Sequence, residues 1–159
     1  MRLVLISAMA RNRVIGKANA LPWSIPEEYE QFLGHVRGHA VILGRSSYQI
    51  FGPDLPDSRL IVVSRSLGSL PDAEVCPSVE AALERAAAIG DFAFSAGGAS
   101  IYRQTLPHAD AIYLSIVKGD YDGDTHFPEI DESEWEVTRS EDHPRYEFRI
   151  YERRRPSSG

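Results

Sequence analysis

Short runs rich in apolar and β-branched residues alternate along the chain with segments whose apolar residues recur at helical spacing, the rhythm of strands interleaved with helices. Strands are predicted at residues 2–9, 40–43, 60–64, 74–76, 92–96, 111–117, 135–140 and 146–152, and helices at 25–36, 46–51, 79–89 and 99–106. The third helix carries its own punctuation: the Ser78 hydroxyl faces the free amides of the first turn, and Gly90 ends the last. The runs at 2–9, 60–64, 92–96 and 111–117 are apolar nearly throughout, as strands covered on both faces are. The segment 141–145 is too short for a crossover, so the last two strands should form an antiparallel hairpin. The pattern predicts an α/β fold: a predominantly parallel, twisted eight-stranded sheet with an antiparallel C-terminal edge strand and about four flanking helices. One domain should cover residues 1–153, with a tail at 154–159.

Composition narrows the function classes. With 17 Lys and Arg against 23 Asp and Glu, the formal net charge of -6 disfavours a surface that grips nucleic acid through its phosphates. The run Arg153 to Arg155 reads as a solvated tail. The single cysteine, Cys76, has no internal disulfide partner, which fits a reducing, cytoplasmic setting and a small buried apolar role. Ala8-Met9-Ala10 imitates a signal-peptidase site, but the apolar run before it is short and only Arg2 precedes it, so a first strand is the better reading. No apolar run approaches the length of a membrane span. A monomer acting on a small molecule, with no nucleic-acid or membrane partner, is the expectation.

Candidate chemistry begins on the first helix. Ser24 and Glu27 have capping-box spacing, which would give Glu27 a structural task. Tyr29, Phe32, Leu33 and Val36 form one apolar stripe, and Glu28 lies slightly nearer its centre than Glu30. A carboxylate facing a pocket there has no basic neighbour in the local sequence, so a ligand bearing hydrogen-bond donors could satisfy it. The alternative is that all three glutamates solvate the first turns and favour the helix dipole. Three strand ends add anion-binding signals: Gly44-Arg45-Ser46-Ser47, Ser64-Arg65 and Gly97-Gly98-Ala99-Ser100. In open parallel sheets, ligands bind at such carboxyl ends. The first strand leads into Ala10-Arg11-Asn12-Arg13 with no G-x-G-x-x-G, which disfavours a Rossmann assignment. His126, beside Asp124 and Thr125, lacks a second histidine at ligand spacing and reads as a loop-fixing residue, so no metal is expected.

These motifs, in this order, resemble the dihydrofolate reductase family. Val14-Ile15-Gly16, Asn19-Ala20-Leu21-Pro22-Trp23, Ile25-Pro26, Glu28 and Phe32 look like its active-site loop and substrate helix. Gly44-Arg45, Gly97-Gly98 with Ile101-Tyr102, and residues 123–128 resemble its later motifs, and the likeness spans essentially the whole chain. The resemblance implies NADPH-dependent reduction of 7,8-dihydrofolate to 5,6,7,8-tetrahydrofolate on a dihydrofolate-reductase-like fold. It makes Glu28 the residue that binds the pterin amino group and ring nitrogen, supported by Ser115. Leu21 would admit the water that brings a proton, and the segment from Ala10 to Leu21 would act as a lid. Ala8, Ile15 and Tyr102 would flank the nicotinamide, with Asn19 and Thr125 also on the cofactor side. Gly97, Gly98, Ala99, Ser100 and Ile101 would approach the pyrophosphate. Gly44, Arg45, Ser46, Ser47, Ser64 and Arg65 would hold the adenosine end, the two arginines favouring a 2′-phosphate. Ile6, Ser7, Tyr29, Phe32, Phe51, Leu55, Arg59 and Ala96 would join Glu28 and Ser115 around the substrate. Trp23 reads either as a core aromatic or as a residue reaching ligand through water, and Asp124 as one that holds the lid.

The departures from the family concern the substrate tail. An arginine usually follows a Leu-Pro pair and forks onto the substrate's glutamate; here Leu55-Pro56 is followed by Asp57 and Ser58, with Arg59 one place late. A one-residue shift in a strand turns a side chain to the other face. Two other readings therefore stay open: a reductase of another dihydropterin, of the dihydromethanopterin type, and a non-catalytic nucleotide or pterin binder.

Overall fold

The computed structural model describes residues 1–16 and 21–154. Its main sheet has eight strands in the order β5-β4-β3-β6-β1-β7-β10-β9. These are β1 (Arg2–Ala10), β3 (Ala40–Gly44), β4 (Arg59–Val63), β5 (Ala73–Cys76), β6 (Phe92–Ser95), β7 (Ala111–Val117), β9 (Trp135–Asp142) and β10 (Tyr146–Arg153). The pairs β1–β6, β1–β7, β3–β4, β3–β6 and β4–β5 are parallel. The C-terminal edge is antiparallel as expected, and the reversed strand is β10, which pairs with β7 on one side and β9 on the other. The helices are α1 (Pro26–Val36), α2 (Arg45–Phe51), α3 (Val79–Ile89) and α4 (Ala99–Thr105).

Because successive strand residues face opposite ways, each central strand feeds two cores. Val4 and Ile6 of β1, with Val41 and Leu43 of β3, pack under Phe32 and Val36 of α1. Their neighbours Leu3, Ala40 and Ile42 pack on the other face against Val79, Ala82 and Ala86 of α3 and Ile101 of α4. A sheet covered on both faces explains the nearly unbroken apolar runs. The same alternation sets Ser115 on the face of β7 that carries Ala111 and Val117, toward α1, with Ala8 opposite it in register on β1. The outer strand β9 is mostly exposed and charged, which suits a rim that meets water.

Three expectations are corrected. The first helix begins one residue later than its pattern suggested: Ile25 is the N-cap, Pro26 occupies the first turn, and no side chain caps the helix. Proline fixes φ for helix entry and has no amide to satisfy there, so Ser24 and Glu27 form no capping box. Two short strands were not anticipated: β2 (Val14–Gly16) and β8 (Thr125–His126) form a separate antiparallel ribbon. The arginine run is partly built in. Arg153 donates to the carbonyls of Ala109 (3.0 Å) and Leu106 (2.8 Å) and stacks on Trp135, while Arg154 donates to Glu132 O (2.9 Å). Arg155 lies outside the described residues.

Candidate active site

The carboxyl ends of the parallel strands open into a cavity of about 840 Å³ whose lining falls into two groups, one on α1 and the end of α2 and one at the strand-to-helix turns, called its two arms below. Insertion of β6 between β3 and β1 brings the two glycine turns together: the Gly44 amide donates to Gly97 O at 2.7 Å. Gly97 has φ +90°, and a Cβ there would sit 2.8 Å from the Tyr102 ring, so only glycine fits. The Gly97–Gly98 peptide is cis. Gly98, by contrast, has open space where a side chain would be, which leaves that backbone accessible from the cavity.

The first arm is defined by Glu28. Glu28, Phe32 and Val36 recur every four residues on the buried stripe of α1, and Glu28 lines the cavity while only 7% exposed. Burial pushes its carboxyl up to about 7, partly opposed by a hydrogen bond from the Ser115 hydroxyl. A carboxyl poised there can hold or release a proton near neutral pH and accept donors from a heterocycle. Ile6, Ser7, Tyr29, Phe32, Ile50 and Phe51 complete the arm. The rings of Tyr29, Phe32 and Phe51 lie 5.2 to 6.1 Å apart by centroid. The Tyr29 hydroxyl donates to Asp54 Oδ2 at 2.5 Å. Its phenol is held well above the ordinary tyrosine range by burial, that hydrogen bond and the carboxylates of Asp54 and Glu28.

Between the arms stand Ala8, Ile15, Leu21, Ala96, Tyr102 and Thr125. Tyr102 is buried, and its hydroxyl donates to Ile6 O at 2.7 Å; burial holds this phenol protonated. The second arm carries Gly44, Arg45, Ser46, Ser47, Ser64, Arg65, Gly98, Ala99, Ser100 and Ile101. Arg45 and Arg65 are exposed at its rim, and among the described residues neither guanidinium lies within 4 Å of a carboxylate. The arm thus joins two cations, four hydroxyls at Ser46, Ser47, Ser64 and Ser100, and a bare backbone turn, a donor set suited to phosphates.

The stretch from Arg13 to Gly16 is pinned by residues 123–127. Asp124 N donates to Gly16 O at 3.1 Å, Phe127 N to Arg13 O at 2.9 Å, and Thr125 Oγ1 to Asp124 Oδ1 at 2.8 Å. Gly123 lies so close to β2 that a Cβ would fall 2.3 Å from Val14 Cγ1 and 2.5 Å from Gly16 O. His126 pairs through its backbone with Val14 while its side chain is exposed.

Most of the anticipated residues converge on the cavity. Ser115 and Gly97 act from behind its wall, through Glu28 and Tyr102. Leu55 and Arg59 do not line it. Leu55 is core, its amide bonded to Gly52 O, because the 3-10 turn Gly52–Asp54 tucks it inward. Arg59 is 60% exposed and pairs with Glu74 of β5 at 3.6 Å. Asn19 lies outside the described residues. Trp23 is buried edge-on to Tyr121, and its indole N–H has no hydrogen-bond partner among the described residues. Sequence reasoning missed Gly16, Ile50, Val63, Gln104 and the segment 77–80 as lining residues. The last follows β5, so the strand-end rule that singled out Ser64 applied there too.

A family model described as dihydrofolate reductase matches residues 2–155. The dihydrofolate reductase of Bacillus subtilis is 36% identical over 96% of this chain and 95% of its own length. Dihydrofolate reductase HdrB of Haloferax volcanii is 36% identical over 99% of this chain and 86% of its own. Among solved structures, the Enterococcus faecalis dihydrofolate reductase complexed with NADP(H) and RAB-propyl superposes with a TM-score of 0.86 at 28% identity, covering 96% of each chain. With a buried acid in one arm of the cavity and a phosphate-suited donor set in the other, this chain belongs to the dihydrofolate reductase family.

Proposed function

We propose that the protein is an NADPH-dependent oxidoreductase that reduces 7,8-dihydrofolate to 5,6,7,8-tetrahydrofolate. The observation that carries the reading is Glu28: a carboxyl 7% exposed, pushed up to about 7, in the same cavity as the phosphate-suited arm. Family membership and the NADP(H)-bound relative support it.

The residues fit the cofactor. Gly98 offers an open backbone turn, Ala99 and Ser100 follow it, and Arg45, Arg65, Ser46 and Ser64 supply donors for a 2′-phosphate and its ribose. When bound, NADPH supplies the hydride that reduces the pterin imine. Glu28 accepts hydrogen bonds from the 2-amino group and a ring N–H of the pterin, which relieves a carboxylate otherwise desolvated without a cation. Ser115 keeps that carboxylate oriented. Ala8, Ile15 and Tyr102 exclude water from the junction, which strengthens each electrostatic contact there. Leu21, at the cavity wall, governs the water that protonates the ring nitrogen, with Glu28 assisting by its charge. Asp124 and Gly123 hold the root of the lid. The lone cysteine supports a reducing, cytoplasmic setting, and the net negative charge a small-molecule partner over nucleic acid; a monomer is the expected state. No helix among the described residues is long and apolar enough to cross a membrane.

The test is NADPH oxidation with dihydrofolate, followed by absorbance, for wild type and Glu28→Gln. The variant should lose about a hundredfold or more in hydride-transfer rate near neutral pH while binding NADPH as before. An unchanged rate would refute the assignment of Glu28.

A further inference from the structure

We propose that the Glu28 arm selects a pterin bearing a flat aryl extension and does not read a glutamate attached beyond that aryl group. The inference rests on the reductase reading above and concerns what the arm recognises. Among the described residues that line it, none is Lys or Arg. The guanidinium nearest in sequence to the expected clamp, Arg59, is turned to Glu74, which is itself forked by Arg85 at 2.6 and 2.8 Å. Ser58, where the clamp would stand, donates its hydroxyl to Val36 O at 2.8 Å and is spent on the end of α1. Arg37 is paired with Asp57 at 4.0 Å.

What remains beside the arm is acidic. Asp54 sits 2.5 Å from the Tyr29 hydroxyl, and Glu28 lies within. An anionic tail meets no fork and approaches like charges within a Debye length. Aryl contact is well provided, since Tyr29, Phe32 and Phe51 pack on one another as tilted rings and together give the cavity an aromatic wall. Tail carboxylates should therefore add little to binding.

The experiment compares kcat/KM of the full chain, at saturating NADPH, for dihydrofolate and for dihydropteroate, which lacks the glutamate. A preference for dihydrofolate below about tenfold is expected; one of about tenfold or more overturns the proposal. If neither compound oxidises NADPH, the reductase reading falls, and tryptophan-fluorescence titrations with folate and pteroate decide the present point by the same about tenfold margin in Kd. Asp54→Lys should raise the preference for the glutamate-bearing substrate by about tenfold while dihydropteroate is still turned over. A ratio left unmoved by that charge reversal overturns the electrostatic account.

Discussion

Replacing Glu28 with glutamine should stabilise the ligand-free protein in mild alkali and leave its stability unchanged in acid. Burial raises the carboxyl from 4.5 to about 7, with the Ser115 hydrogen bond opposing. Between those two values the folded state keeps a proton that the unfolded state has released, so wild-type stability declines as pH rises. Above about 7 both states are ionised, and a shift of this size costs about 3 kcal/mol, at about 1.4 kcal/mol per unit. Below about 4.5 both are protonated and the cost vanishes. Glutamine keeps the shape, accepts the Ser115 hydroxyl and carries no charge. The stability gain should therefore be near zero at about pH 4 and reach about 3 kcal/mol at about pH 8, or roughly 6 to 12 °C in Tm for a chain of this size. Chemical denaturation of both proteins without ligand, across that range, measures it. Since every other titrating group is common to the two, their difference isolates Glu28. A difference that does not change with pH, or a variant less stable in alkali, would refute the claim that desolvation dominates this site.

Other perturbations probe the rest of the cavity. Arg45→Ala and Arg65→Ala should each raise the KM for NADPH about tenfold while leaving the KM for NADH in place; equal losses with both cofactors would mean that the arginines do not read a 2′-phosphate. Gly123→Ala puts a methyl 2.3 Å from Val14 Cγ1 and 2.5 Å from Gly16 O, and should cost about 1 to 3 kcal/mol in denaturation and slow single-turnover hydride transfer. Unchanged stability and rate would show that the close approach of Gly123 to Val14 and Gly16 matters neither to the fold nor to the reaction.

The sheet and helices were legible because their patterns are long. The nearly unbroken apolar runs of β1 and β7 and the capped run of α3 determine both element type and ends. The β2–β8 ribbon was not legible, because three residues facing two carry no periodic signal; the pairing depends on the absence of a side chain at Gly123, which only the folded approach reveals. On α1, the angular difference between Glu28 and Glu30 was too small to choose between them; packing chose, burying the first and exposing the second. Resemblance supplied what geometry alone left open there. The capping-box spacing misled since a proline in the first turn outweighs a serine two residues earlier. The strand-face argument that displaced Arg59 from the substrate agrees with its pairing to Glu74. Leu55 failed for a different reason: the tight turn before it points it into the core.

Tyr102 joins the two halves of the cavity in one side chain. Its hydroxyl holds the Ile6 carbonyl on the floor of one arm, and its ring fills the space beneath Gly97 at the turn of the other. A ligand that presses on either end displaces a rigid aromatic body rather than a flexible chain. Thermodynamic linkage then requires that whatever one occupant does to the affinity of the other is returned in equal measure. Substitutions at this position accordingly belong to neither ligand alone, and their effects on the two affinities are properly measured as a coupling.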